Sequence, residues 1–245
     1  MRVSIITVCF NSEKTIGKTM ASVLNQSYRD LEYIIVDGKS SDGTLAVVRS
    51  FAEKFAAAGI ALRVISEKDH GIYDAMNKGI RMAAGEIIGI INSDDWYEPH
   101  AVETVVQTYR ETGFDMFYAN LNLVRKNGSV IVKRSRHDRY PSTRNWNHPT
   151  TFITKKTYED VGLFRCKGLY DDFDLVLRIR RAGKKMVIKN EVLANFRTGG
   201  VSTEKSLKKC LLRCKDRYRC YRDNGYGRIY AIECYLMEFA KLIIS

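Results

Sequence analysis

The sequence predicts an α/β fold: a mixed, mainly parallel, Rossmann-like sheet flanked by helices, with a helical extension at the C-terminus. Short β-branched or apolar runs alternate with segments of helical periodicity through the first half of the chain, which is typical of βαβ units. The run at 87–91 is apolar throughout, as expected for a strand that is covered on both faces. With 245 residues, 45% of them hydrophobic, the chain can bury a sizeable core, and we expect one compact unit.

Elements of the first half follow directly from this alternation. Strands are predicted at residues 3–8, 31–36, 62–65 and 87–91. Asn11 and Ser12 can cap the helix between the first two strands, and Asp42 can cap the next. The third helix is predicted at 72–83 from its inward-facing apolar positions.

The second half is less regular, and its elements are read from local signals. They are a helix after Pro99, a strand at 116–119, a hairpin of 121–124 and 130–133 around Asn127-Gly128, a helix at 172–182 ended by Gly183, and strands at 185–188 and 192–196. We therefore divide the chain into a domain at 1–203, with halves at 1–95 and 96–203, and a basic helical extension at 204–245.

A formal net charge of +12 indicates an anionic partner. By itself this leaves nucleic acid, an acidic membrane surface and a phosphorylated small molecule open. No apolar run reaches the roughly 18 residues of a membrane span, and no secretory signal is visible at the N-terminus. Six cysteines are too few for a disulfide scaffold, and we expect reduced thiols and a cytoplasmic protein.

Polar residues follow each strand of the first half, at 7–11, 37–44, 67–71 and 92–95. In open α/β sheets, ligands bind beyond the carboxyl ends of the strands. The carboxylates among these residues converge at one edge of the sheet. Their repulsion is costly unless a cation or ligand donors lie among them.

The Asp94-Asp95 pair directly follows the buried strand and is suited to Mg²⁺ or Mn²⁺ carrying a phosphate. The alternative is that Asp95 caps the helix near Pro99 while Asp94 is solvated. Asp42 is better explained as a helix cap, whereas Asp37 could accept a base or ribose. The chain lacks the Gly-rich dinucleotide loop after its first strand and lacks a P-loop.

Several segments together resemble family-2 glycosyltransferases of the GT-A fold, including a subgroup that builds bacterial surface polysaccharides. The segments are 4–11, 22–28, 35–44, 66–79, 92–95, 148–149, 172–175 and 196–202. They occur in the family's order over about residues 3–203, and together they are highly specific. The tail after Ser206 carries no motif of the family.

The resemblance implies a nucleoside-diphosphate sugar donor, usually UDP-linked, and a divalent cation, Mn²⁺ or Mg²⁺. Asp95 falls on the family's principal metal ligand, and Asp37 falls where the family contacts uracil. The implied donor-binding residues are Thr7, Val8, Asn11, Asp37, Asp69, Asn77, Lys78 and Asp94. For Lys78, a solvated lysine on the surface of a helix is the alternative.

The resemblance also implies an inverting transfer, a single displacement in which an acceptor hydroxyl attacks the anomeric carbon. A carboxylate must accept the proton of that hydroxyl. Asp172 matches the family base, although its neighbour Asp171 keeps the choice open and capping is an alternative for either. The resemblance places His148, Asp171, Gly199 and Gly200 near the acceptor or the diphosphate. A structural role is the alternative for His148.

The tail is basic and interleaved with apolar residues. Its cations are Lys205, Lys208, Lys209, Arg213, Lys215, Arg217, Arg219 and Arg222. A basic amphipathic helix suits an anionic membrane surface, so we expect peripheral attachment to the inner face of the membrane, where a lipid-linked acceptor would lie. The alternative is a tail packed on the domain with a solvated basic face.

Two further classes of function compete with a glycosyltransferase. A catalytically inactive homologue that binds nucleotide sugars would keep the donor residues without turnover. A basic nucleic-acid-binding protein is disfavoured because it has no need of acidic clusters at strand ends, and we expect no nucleic acid partner.

Overall fold

A computed structural model describes residues 1–136, 141–199 and 206–244, and within these residues nine strands form one mixed sheet. The strands are β1 Val3–Cys9, β2 Leu31–Asp37, β3 Ala61–Ser66, β4 Ile87–Ile90, β5 Trp96–Tyr97, β6 Met116–Val124, β7 Val130–Lys133, β8 Phe152–Thr154 and β9 Met186–Arg197. Their order is β3-β2-β1-β4-β8-β6-β9-β5, with β7 beside β6.

Helices cover both faces of this sheet. They are α1 Ile16–Leu24, α2 Thr44–Ser50, α3 Ala52–Ala57, α4 Ile72–Met82, α5 Ala101–Thr112, α6 Lys155–Val161, α7 Asp171–Arg181, α8 Leu207–Asp223 and α9 Tyr230–Ile244, with a single 3₁₀ turn at His148–Thr150. No helix in the described part of the chain is both long and apolar enough to cross a membrane.

The parallel half of the sheet confirms the prediction. Strand β1 pairs in parallel with β2 and β4, and β2 pairs in parallel with β3. Every residue of β1, β2 and β4 is buried, as a sheet covered on both faces requires. Cys9 lies opposite Asp37, which lies opposite Ser66, so the loops that follow these strands leave from one edge.

Two apolar clusters fill the space between sheet and helices. One lies under α1, α2, α3 and α5, and the other under α4, α6 and α7. The tail helices contribute to the second cluster: Cys220, Tyr221 and Cys234 are buried there with Phe173 and Leu177. The tail therefore covers part of the domain's core and does not stand apart from it.

Several predicted elements have different limits in the structure. The single helix predicted after Asp42 is two short helices, α2 and α3. The strands predicted at 116–119 and 121–124 form one continuous strand, β6, and those predicted at 185–188 and 192–196 form one continuous strand, β9. Strands β5 and β8 and helix α6 were not predicted. Helix α1 begins at Ile16, later than caps at Asn11 or Ser12 would place it.

Gly89 tests how tightly β4 packs. A Cβ at this position would lie 2.4 Å from a ring carbon of Phe152, which is completely buried and packs against the rings of Tyr97 and Phe117. We therefore expect Gly89→Ala to lower the free energy of unfolding by about 1–3 kcal/mol, the usual cost of overpacking. Gly227→Ala is the matched control, because nothing lies within 4 Å of a Cβ there. Equal denaturant midpoints for the two variants would contradict this packing.

Candidate active site

The loops that follow β1, β2 and β4 are tied together by hydrogen bonds. The Asn11 N–H donates to Ser40 Oγ over 2.8 Å, and the Ser41 N–H donates to Asn11 Oδ1 over 2.9 Å. Ser12 Oγ lies 2.8 Å from Ser93 Oγ. Asn11 holds a left-handed backbone, with φ of 49°. The structure thus brings the residues predicted at 11, 37–42 and 92–95 to one edge of the sheet.

Asp37 is completely buried and is satisfied by its own surroundings. Its carboxylate accepts hydrogen bonds from the Ser40 N–H and hydroxyl, from the Ser66 hydroxyl at 2.6 Å, and from the Cys9 thiol at 3.6 Å. Burial, and then the charge of Asp37, raise the pKa of Cys9. Contact between Asp37 and a nucleobase stays a prediction.

Gly38 allows three loops to meet closely. A Cβ at Gly38 would lie 2.5 Å from Asp69 Oδ2 and 3.4 Å from a ring carbon of Phe10. The other oxygen of Asp69 accepts the Gly71 N–H at 2.9 Å. Phe10 is 63% exposed here, and its ring offers a flat apolar surface beside these loops. Phe10 was not among the site residues predicted from the sequence.

Other predicted donor residues have side chains that are engaged within the protein. Thr7 and Val8 are buried, and Thr7 accepts a hydrogen bond from the Tyr33 hydroxyl at 2.9 Å. The Asn77 amide pairs with both backbone groups of Phe164, at 2.8 and 3.0 Å. A donor contact by Asn77 would require this pair to break.

Lys78 is neither free nor a solvated surface lysine. Its ammonium group lies 2.9 Å from Glu67 Oε1, 3.7 Å from Asp74 Oδ2, and donates to the Lys68 carbonyl at 2.9 Å. The hydrogen bond with Glu67 is the main reason that the pKa of Lys78 is raised. A phosphate at this place would compete with the Glu67 carboxylate for Lys78.

Asp95 is the most unusual carboxylate of the site. It is completely buried; Oδ1 accepts the Arg197 N–H at 3.0 Å, while Oδ2 has no hydrogen-bond partner. Burial, and then the charge of Asp94, raise its pKa well above the usual range. A buried carboxylate oxygen without a partner carries a large desolvation cost, which a bound cation would offset.

These residues fit a divalent cation held by the protein and a phosphate together. The described residues contain no group of three or more His, Cys, Asp and Glu side chains arranged to hold a metal alone. Asp95 Oδ2 and the adjacent Asp94 would supply hard oxygen ligands of the kind that Mg²⁺ and Mn²⁺ prefer. The remaining positions of such an ion would be filled by a phosphate-bearing ligand and water.

Asp172 and His148 line a small pocket beside Ile90, at the end of β4. His148 Nδ1 lies 3.9 Å from Asp172 Oδ2, while its buried Nε2 has no partner. Burial lowers the pKa of His148, so the ring is neutral near pH 7. The Trp146 ring packs against this imidazole with centroids 5.8 Å apart.

The first turn of α7 carries three carboxylates in three different settings. Asp171 is buried and accepts the N–H groups of Lys167 and Gly168. Asp174 is buried between Arg165 and Arg178, at 3.2 and 3.0 Å. Asp172 keeps 23% of its side chain exposed and faces His148. Its exposure and position favour Asp172 over Asp171 as the base.

Two residues of the site were missed as individual candidates. The Tyr73 hydroxyl donates to the Leu169 carbonyl at 3.0 Å, and its pKa is raised by burial and then by the charge of Asp172. Arg197 lies beside Asp95 and 5.7 Å from the ring of Trp96, over which Lys18 also lies. Both residues lie within the segments that carry the family resemblance, and this is the signal by which the sequence could have identified them.

The predicted loop near residue 199 is described only in part. Gly199 has φ of 110°, a conformation that favours glycine, and a Cβ there would lie 2.6 Å from Lys126 Cε. Gly200 lies outside the described residues, so the prediction for it has no structural counterpart.

Comparison with known proteins identifies the family. The family described as Glycosyl transferase family 2 matches residues 4–169. Chondroitin synthase of Escherichia coli is 38% identical over 109 residues, which are 44% of this chain and 15% of that protein. The chain spans 15% to 54% of the length of eight curated relatives that it matches.

Solved structures share the fold at low sequence identity. The chain resembles Staphylococcus aureus TarS 1–349 in complex with UDP-GlcNAc, with a TM-score of 0.71, 17% identity, and coverage of 98% of this chain and 72% of the TarS 1–349 chain. It also resembles the mannosyltransferase PcManGT from Pyrobaculum calidifontis in complex with GDP-Man and Mn²⁺, with a TM-score of 0.66, 18% identity, and coverage of 98% and 69%.

The chain therefore belongs to glycosyl transferase family 2 and carries a glycosyltransferase domain of the GT-A fold. The resemblance drawn from its motifs is confirmed.

Asp95→Asn tests the unpartnered carboxylate. In the absence of divalent cations, the neutral amide avoids the desolvation cost of the buried charge, so we expect a gain of about 1–3 kcal/mol in the free energy of unfolding at pH 7. Denaturant unfolding in EDTA measures this gain. Asp160→Asn, an exposed carboxylate paired with Lys184, is the control and should give no gain. Equal or lower stability of Asp95→Asn would contradict an unsatisfied Oδ2.

Proposed function

We propose that this chain is a metal-dependent, inverting glycosyltransferase of polysaccharide biosynthesis. It moves a sugar from a nucleoside-diphosphate donor, with UDP as the nucleotide, to a hydroxyl of a saccharide or lipid-linked acceptor. The observation that carries the proposal is the unpartnered Asp95 Oδ2 beside Asp94, on the same sheet edge as the nucleotide loops. The UDP-GlcNAc complex of TarS supports the choice of nucleotide.

Asp172 supplies the base. Its Oδ2 faces the pocket, with the neutral His148 ring 3.9 Å away, and Oδ1 is held by the Phe173 N–H at 2.8 Å. Held this way, Oδ2 is oriented to accept the proton of the attacking hydroxyl. A divalent cation bound at Asp95 would stabilise the charge that develops on the departing diphosphate.

Sugar transfer by the full chain tests this proposal. With a panel of UDP- and GDP-sugars, Mn²⁺ and a saccharide acceptor, we expect transfer from a UDP-sugar and its loss in EDTA. Asp172→Asn should lower kcat by about 10²- to 10⁴-fold, the usual contribution of a general base, without weakening donor binding. Asp160→Asn is the control. Donor binding without turnover in the unmodified chain would indicate the inactive homologue, and full turnover by Asp172→Asn would refute the base.

The tail suggests how such an enzyme reaches a lipid-linked acceptor. Helix α9 exposes Ile232, Leu236 and Phe239, spaced as one helical face, to 62%, 67% and 37%. Helix α8 exposes Leu207, Leu211 and Leu212 as well. Exposed cations at 208, 209, 215 and 222 lie on α8. This combination suits the surface of a membrane with anionic lipids.

The basic face predicted from the sequence needs correction. Arg213 and Arg217 are buried inside the tail, and Arg219 binds the backbone of Lys167. Lys205 lies outside the described residues. The proposed membrane surface therefore depends on apolar side chains of α9 more than on the full set of cations named from the sequence.

Point variants test membrane attachment, because removal of residues 204–245 would also uncover the core. We expect Ile232→Asn combined with Leu236→Asn to lower the bound fraction at least tenfold, since each apolar side chain contributes about 1.5–3 kcal/mol when buried. Sedimentation with phosphatidylglycerol/phosphatidylcholine vesicles measures it. Val130→Asn with Val132→Asn, whose side chains are also exposed, to 54% and 48%, on β7, is the control. Equal binding of both double variants would exclude α9 as the contact.

A further inference from the structure

The loop before the candidate base is held by the tail through its backbone. The Arg219 guanidinium donates to the Lys167 carbonyl at 2.9 Å, and the Leu169 N–H donates to Asp216 Oδ2 at 3.2 Å. The Cys220 thiol donates to the Tyr170 carbonyl at 3.3 Å. Residues 216, 219 and 220 have i, i+3 and i+4 spacing, so a single face of α8 contacts three consecutive parts of the loop.

Helix α8 lies so close to this loop that position 168 has no room for a side chain. A Cβ at Gly168 would lie 2.6 Å from an Arg219 nitrogen and 2.7 Å from Asp216 Oδ2. Asp216 Oδ1 and Arg219 are themselves paired at 3.1 Å, which fixes the two side chains relative to each other. The loop therefore has little room to move while α8 is in place.

The side chain of Tyr170 continues this contact into α9. Its hydroxyl donates to Glu238 Oε1 at 2.7 Å, and the Arg217 guanidinium lies 4.9 Å from its ring. Glu238 is completely buried and also pairs with Arg217 at 3.0 Å and Arg213 at 2.8 Å. Both tail helices thus bind the residue that directly precedes α7.

The same helix binds the carboxylates on either side of Asp172. Arg219 lies 3.5 Å from Asp171 Oδ1, and the Asn224 amide donates to Asp174 Oδ1 at 2.8 Å. Among the described residues, no residue of the tail makes a hydrogen bond or ion pair with Asp172, the third acidic residue of this turn. It is left to face His148 and the pocket.

We infer that Arg219 and Asp216 are positioning residues for Asp172: they hold residues 167–171 so that the base points at the acceptor hydroxyl. This inference rests on the proposed function, since it needs Asp172 to be the base. Neither residue touches the reacting atoms. Their loss should disturb the orientation of the base while leaving the donor loops of β1, β2 and β4 intact.

Arg219→Met in the full chain tests this role. We expect kcat to fall at least tenfold while the KM for the donor stays within about twofold, because the loops that bind the donor are untouched. Arg219→Lys keeps the charge opposite Asp171 and should recover kcat to within about threefold of the unmodified chain. Arg228→Met, an exposed arginine in the turn between α8 and α9, is the matched control and should leave both constants unchanged.

Amide hydrogen exchange measures how firmly the loop is held, independently of enzymatic activity. Amides at 167–174 should exchange about tenfold faster in Arg219→Met than in Arg228→Met, with β1 and β4 unchanged. Asp216→Asn should also speed the exchange of these amides, and it replaces Arg219→Met as the test variant if Arg219→Met does not fold. If the unmodified chain transfers no sugar, the proposed function fails, and exchange still decides whether the tail holds this loop. Unchanged kcat and unchanged exchange would overturn the inference, and so would faster exchange throughout the core.

Discussion

The parallel pairing of β1 with β2 and β4 determines where every polar loop of the site lies. A buried polar pair fixes the register of this pairing: Ser4 is the partner of Glu32 across the ladder, and its hydroxyl donates to Glu32 Oε1 at 2.6 Å. The same oxygen accepts the Ala84 N–H at 2.6 Å. A slip of one residue would separate the buried Glu32 carboxylate from the Ser4 hydroxyl, which is costlier than a shift among apolar side chains. The strand ends therefore meet at one edge.

At that edge the structure separates carboxylates that are used for folding from those that are available for chemistry. Asp37 and Asp42 are satisfied by hydrogen bonds from neighbouring residues of the protein, and hydrogen bonds from Thr44 lower the pKa of Asp42. The N-cap of α2 is Gly43, one residue after Asp42, so the predicted helix cap at Asp42 is wrong by one position. Asp171 is satisfied by backbone amides in the same way. In contrast, Asp95 has a buried oxygen without a hydrogen-bond partner, and the side chain of Asp172 is partly exposed. Proximity in sequence cannot separate Asp171 from Asp172, whereas burial and hydrogen bonding do.

The sequence predicts the βαβ half well, because periodicity is local and parallel strand ends converge whatever the loops contain. It fails where structure depends on distant partners. Strand β6 was predicted as two pieces because its pattern breaks at Asn120, where the pairing with β9 shifts register. Strand β8 has three residues and is recognisable only by its pairing with β4 and β6. Likewise, the partner of Asn77 is Phe164, 87 positions later in the chain.

The tail shows why net charge alone is a poor guide to partners. Arg213 and Arg217 contribute to the +12 of the chain, yet they are buried against Glu238, a residue of the next helix. The family match ends at residue 169, just before α7, so it covers the nucleotide loops but not the candidate base. Because residues 167–171 are held by α8, the loop before the candidate base is positioned in part by the segment in which no family motif was found. A tail of different sequence would therefore change how the candidate base is held without changing the loops that we propose to bind the nucleotide sugar.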